Sequence, residues 1–81
     1  MSYLLFYISH SFRSFAYAKL QKWDQALIDA EACVKIEPTF AKGYLRKGQA
    51  EQGLGRVEDA MHSYEQGLQK DPNNAQIKTA L

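Results

Sequence analysis

Eighty-one residues suffice for one small domain, which buries only about 60% of its unfolded surface. The chain is 46% hydrophobic and 23% charged, which is globular composition and excludes wholesale disorder. A net charge of +1 supplies no global drive toward nucleic acid or membrane, and the single Cys33 excludes an internal disulfide scaffold.

Taken in chain order, the pattern is helical throughout. Tyr3–Ile8 is an apolar run far too short to span a bilayer, and it lacks the basic start and cleavage site of a signal peptide. It reads as a buried helix segment or a partner-contacting patch at the start of a first helix near 4–20, continued by Phe12, Phe15, Ala16 and Leu20 at helical spacing. Gln21 and Lys22 make a turn, with Asp24 as the expected cap of a second helix near 24–36. That helix carries Ala26, Leu27, Ala30, Cys33 and Val34 on one face, and Pro38 stops it. A third helix is expected near 40–53, a turn at Gly53 and Gly55, a fourth near 57–70, and a short fifth near 74–81 after Pro72-Asn73-Asn74.

The chain also repeats itself. A single fixed offset superposes Ala16 on Ala50, Leu20 on Leu54, Ala26 on Ala60, Glu31 on Glu65 and Pro38 on Pro72. Two helix–turn–helix units follow, residues 7–40 and 41–74, with 75–81 starting a cap, all within one domain spanning 1–81. The expected fold is all-α, a fragment of a right-handed α-solenoid.

Tyr44, Gly48, Ala60, Tyr64, Gly67 and Pro72 of the second unit carry a resemblance to the tetratricopeptide repeat. Tyr17, Ala26, Cys33 and Pro38 carry it in the first, with Ser14 at the glycine position. Small residues at 26, 48, 60 and 67 then allow close helix approach, beside Tyr44 and Tyr64. Gly43 has no such account from the sequence.

In such arrays the first helix of each unit lines a concave groove and the second forms the back. The first helices carry a basic excess: Arg13 and Lys19, then Lys42, Arg46 and Lys47 against Glu51. The second helices carry an acidic one: Asp24, Asp29, Glu31 and Glu37, then Glu58, Asp59 and Glu65. Lys42 and Arg46 stand four apart, where like charges on one face repel. Ile8 and Phe12 occupy the same columns one repeat earlier, and Phe15, Lys19 and Gln49 continue the groove. Cations beside apolar surface suit an extended peptide bearing carboxylates.

"EPTFAKGYLRKGQAEQGL" and "YEQGLQKDPNNAQIK" are similar to the last repeat of a three-repeat domain in the co-chaperone family that organises the seventy- and ninety-kilodalton heat-shock chaperones. The resemblance implies a clamp for the acidic C-terminal tail of a chaperone, with Lys42 and Arg46 as two of its donors. It also implies that Phe12, within "HSFRSFAY", stands where the clamp uses an asparagine amide. The donors of a preceding repeat have no counterpart here. Binding of a chaperone tail by this chain is therefore expected to be weak or lost, since a missing polar contact costs about 1–3 kcal/mol.

No catalytic constellation, metal-ligand set or cofactor motif is expected. His10 and His62 read as surface or groove-edge histidines, Cys33 as an inert core thiol, Trp23 as packing at a turn and Asn73-Asn74 as a cap. Three function classes follow: a co-chaperone-type interaction module, a self-associating scaffold that stacks apolar ends or swaps a helix pair, and the regulatory arm of an enzyme. The lone cysteine points to a reducing compartment, the cytoplasm.

Overall fold

A computed structural model describes residues 4–81, so Tyr3 of the apolar run lies outside the described residues. Five helices follow in order: α1 (Leu4–Lys19), α2 (Trp23–Ile36), α3 (Ala41–Gly53), α4 (Val57–Lys70) and α5 (Ala75–Ala80). α1 packs on α2 and α3 on α4, α2 joins the two hairpins by packing on α3, and α5 closes against α4. α1 also touches α3 directly, which brings the first helices of the two hairpins side by side.

The two hairpin turns share one geometry. Lys22 N–H donates to Tyr17 O and Gln21 N–H to Ala18 O, at 2.9 and 3.0 Å. Arg56 N–H donates to Glu51 O and Gly55 N–H to Gln52 O, at 2.8 and 3.0 Å. Both are Schellman closures, which place the residue after the helix in the left-handed region. Gly55 sits there at φ 81°, and Gln21, its counterpart in the first repeat, at φ 58°. Asp24 is not the cap expected from the sequence. α2 begins at Trp23, the cap position falls on Lys22 without a side-chain hydrogen bond, and Asp24 stands in the first turn instead. There its charge still favours the positive end of the helix. Asn74 does cap α5, its side-chain oxygen accepting from Ile77 N–H at 3.0 Å.

Two apolar clusters hold the helices. Ala26, Leu27 and Ala50 join α2 to α3, with Tyr17, Ala18 and Leu54 packed around them. Ala41, Leu45, Ala60, Tyr64 and Ile77 join α3, α4 and α5. Small residues set the spacing. A Cβ at Gly48 would lie 2.3 Å from the Tyr64 ring, and one at Gly43 would lie 2.9 Å from Val34 Cγ1 and 3.0 Å from Cys33 Sγ. Gly43 therefore lets α3 seat on α2, which accounts for the glycine that the sequence left unexplained. Cys33 is fully buried, and burial pushes its thiol up to about 11, so it stays protonated.

α1 has an uncovered side. Leu54 packs in a core cluster, whereas Leu20, in the same column of the first hairpin, is 66% exposed. Among the described residues, no helix is long and apolar enough to cross a membrane.

Candidate functional site

The columns shared by α1 and α3 meet where these helices touch. Arg46, on the second turn of α3, is buried despite its charge. Its guanidinium carbon lies 4.5 Å from the centroid of the Phe15 ring on α1, within cation–π range. Its Nη1 donates to Gln49 Oε1 at 3.1 Å, one turn along α3. Its Nε is buried and has no hydrogen-bond partner among the described residues. Burial draws the Arg46 guanidinium below the ordinary arginine value, yet an arginine remains a cation at any physiological pH. An unpartnered donor of this kind carries a desolvation cost that an incoming carboxylate would offset.

Phe15 serves two cations, because Lys19 Nζ lies 5.1 Å from the same ring centroid. Lys42 is half-buried at the first turn of α3 and forms no hydrogen bond or ion pair among the described residues. Phe12 is 69% exposed. Beside Phe15 opens a concavity of about 430 Å³, bordered also by Lys19, Trp23, Gln49, Gln52 and Gly53. A Cβ at Gly53 would lie 2.0 Å from the Trp23 indole, so this glycine gives Trp23 its place as a wall. Gly53 thus ends α3 and makes room for Trp23, rather than only marking a turn.

The structure thereby brings Phe15, Lys19, Arg46 and Gln49 into one cluster. Arg13, counted among the basic residues of α1, turns elsewhere. Its Nε and Nη2 fork onto Asp29 of α2 at 2.9 and 2.8 Å, and His10 Nδ1 meets the same carboxylate at 2.9 Å. Asp29 is buried between the helices and does not belong to an acidic back surface, nor is His10 a free surface histidine. A signal for the pair was present, since Arg13 and Asp29 are placed symmetrically about the turn residue Gln21. Charge counting missed it because it does not register which way a long side chain turns.

The tetratricopeptide repeat family profile matches residues 41–74. The chain is 44% identical over 75 residues to the heat shock protein sti1 homolog of Schizosaccharomyces pombe, an alignment covering 93% of this chain and 13% of that protein. Among solved structures, the first repeat domain of Spaghetti (RPAP3) bound to the HSP90 peptide SRMEEVD is similar with a TM-score of 0.86 and 31% identity, covering 93% of this chain and 60% of that one. The second repeat domain of human RPAP3, in complex with the HSP70 peptide SGPTIEEVD, is similar with a TM-score of 0.85 and 29% identity, covering 90% and 61%. The chain thus spans about an eighth of the curated relative and about three-fifths of each solved domain. Residues 41–74 thus match the tetratricopeptide repeat, and the chain is similar over most of its length to a short segment of the Hsp70-Hsp90 organizing proteins of Arabidopsis thaliana and Triticum aestivum.

Proposed function

We propose that this chain is a non-enzymatic protein-interaction module of the co-chaperone kind, and that its groove takes the acidic C-terminal tail of a heat-shock chaperone. The observation that carries the reading is Arg46, a buried cation at the α1–α3 contact whose Nε has no partner among the described residues. Lys42 supplies a second donor one turn away, with Lys19, Phe15, Gln49 and Phe12 as groove neighbours. The peptides held by the two similar domains both end in Glu-Glu-Val-Asp, which is the chemistry such donors recognise. In this reading residues 1–81 act as one domain, with repeats at 7–40 and 41–74 and the start of a cap at 75–81, in the reducing cytoplasm that suits the Cys33 thiol.

The grip is weak, because Phe12 offers a ring where an amide would donate. Calorimetric titration with SGPTIEEVD tests this, with an expected Kd above about 100 µM. Low-micromolar affinity would refute the weakened grip. Binding that survives replacement of both Lys42 and Arg46 by Ala would refute the site.

A second reading, self-association through α1 and the turn that follows it, is favoured by Leu5, Phe12 and Leu20, which are 60%, 69% and 66% exposed. Apolar association is insensitive to salt, whereas binding through Lys42 and Arg46 weakens as ionic strength rises. Light scattering that shows only a monomer at high concentration rejects this second reading.

A further inference from the structure

The Arg46 guanidinium carbon sits over the Phe15 ring, 4.5 Å from its centroid, and its Nη1 donates to Gln49. A carboxylate that forks onto arginine approaches in the guanidinium plane and takes two N–H groups. The edge not tied to Gln49 is the one that includes Nε, and Nε is out of reach of solvent. In this arrangement the groove keeps its strongest donor covered.

We propose that Phe15 is a movable cover: its ring leaves Arg46 and swings into the neighbouring concavity when an anionic ligand takes the guanidinium. The proposal rests on the reading of this groove as a site for acidic ligands. Three features support it. Phe15 belongs to neither buried core cluster and keeps 38% of its surface exposed, so nothing in the core fixes its ring. The concavity of about 430 Å³ borders Phe15 itself, which leaves a destination within reach of a change of rotamer. That destination is walled by Trp23, so an aromatic contact replaces the cation–π contact that the ring gives up. Gly53 is needed for the exchange, because a side chain there would drive Trp23 from its wall. The move also releases Lys19, whose ammonium shares the ring in the closed arrangement.

The experiment has two arms on the whole chain, using the wild type, Phe15→Ala and Phe15→Leu, with circular dichroism to establish that each is folded. The first arm is phenylglyoxal labelling of arginine, read residue by residue by mass spectrometry, with the exposed Arg56 as internal reference. Arg46 is expected to label slowly in the wild type, about tenfold faster in Phe15→Ala, and at an intermediate rate in Phe15→Leu. The second arm is titration with SGPTIEEVD, where Phe15→Ala should bind about threefold to tenfold tighter than the wild type. Unchanged Arg46 labelling in Phe15→Ala overturns the cover, whatever the peptide does. Faster labelling with weaker peptide binding also overturns it, since the ring would then be a platform that holds Arg46 in place for its ligand. If no form binds the peptide, the acidic-tail reading fails by itself, and faster labelling still supports the cover.

Discussion

The Tyr64 ring lies so close over Gly48 that a Cβ on residue 48 would meet Cε1 at 2.3 Å and both Cδ1 and Cζ at 2.7 Å. Tyr64 is 1% exposed and its hydroxyl donates to Gln52, so the ring is held from both ends. Helix propensity alone favours Gly48→Ala by about 1 kcal/mol. Overpacking costs about 1–3 kcal/mol and decides the sign. Gly48→Ala is expected to lower stability by up to about 2 kcal/mol net in urea denaturation, about 4–8 °C in melting temperature per kcal/mol. Pairing it with Tyr64→Leu should cost less than the two changes summed, because the smaller side chain vacates the clash. A stabilised Gly48→Ala protein would show that α3 and α4 can move apart freely.

The turn after α1 holds an opposite opportunity. Gln21 occupies the left-handed region at φ 58°, in the hydrogen-bonded frame that Gly55 occupies at φ 81°. A residue with a Cβ is strained there by about 1–2 kcal/mol, partly offset by the greater unfolded-state freedom of glycine. Gln21→Gly should therefore stabilise the chain by about 0.5–1 kcal/mol. Gly55→Ala should destabilise it by a similar amount, although a Cβ at Gly55 would meet no atom within 4 Å. Thermal unfolding of both variants checks the pair, and equal effects of the same sign would contradict the backbone argument.

Much of this architecture was legible because the repeat states each helix twice. Pro38 and Pro72, the two turns, and the small-residue pairs Ser14 and Gly48, Ala26 and Ala60, and Cys33 and Gly67 mark the same places in each unit. The misplaced cap at Asp24 has a local cause: the Schellman closure of the preceding turn delivers the chain to α2 so that the cap falls two residues earlier, on Lys22. Gly43 was opaque because its partners, Val34 and Cys33, lie on a different helix, and no pattern within α3 reports how closely α2 approaches. The groove columns could be read from the repeat offset. The stacking of Arg46 on Phe15 could not, because it depends on a side-chain rotamer and on the distance between α1 and α3.

Asp29 gives a prediction in pH. Burial alone would raise its pKa, but hydrogen bonds from Arg13 and His10, with their charges, outweigh burial and hold the carboxyl below its ordinary value of 3.8. A depressed folded-state value means stability that is present above the unfolded value and lost as pH falls. The loss should begin near pH 3.8 and continue below it, until the folded carboxyl is also protonated. Asp29→Asn should remove that share of the acid sensitivity. At neutral pH it should cost about 1–2 kcal/mol, toward the lower end for a charged hydrogen bond, because the Arg13 side chain is 58% exposed and can return to water. Urea midpoints at pH 7 and pH 3 for both proteins test this, and an unchanged difference between the two pH values would remove Asp29 from the account.

Phe12 offers the most direct trial of the groove. It is the first-repeat counterpart of Arg46, in the same column, and is 69% exposed. A ring there contributes no donor to a carboxylate, whereas an asparagine amide contributes two N–H groups. Phe12→Asn is therefore expected to tighten binding of SGPTIEEVD by about tenfold, the worth of one hydrogen bond to a charged group. Because the position is exposed, stability should change by no more than about 0.5 kcal/mol. The gain has to depend on the ligand's carboxylates, so it should shrink as salt rises from about 50 to 500 mM. It also has to run through the same site as Arg46. In an Arg46→Ala background the asparagine should gain little, and the double-mutant cycle should return a clear coupling energy. An equal gain with and without Arg46 would mean that the amide acts elsewhere, and that the groove between α1 and α3 is not where the acidic tail lies.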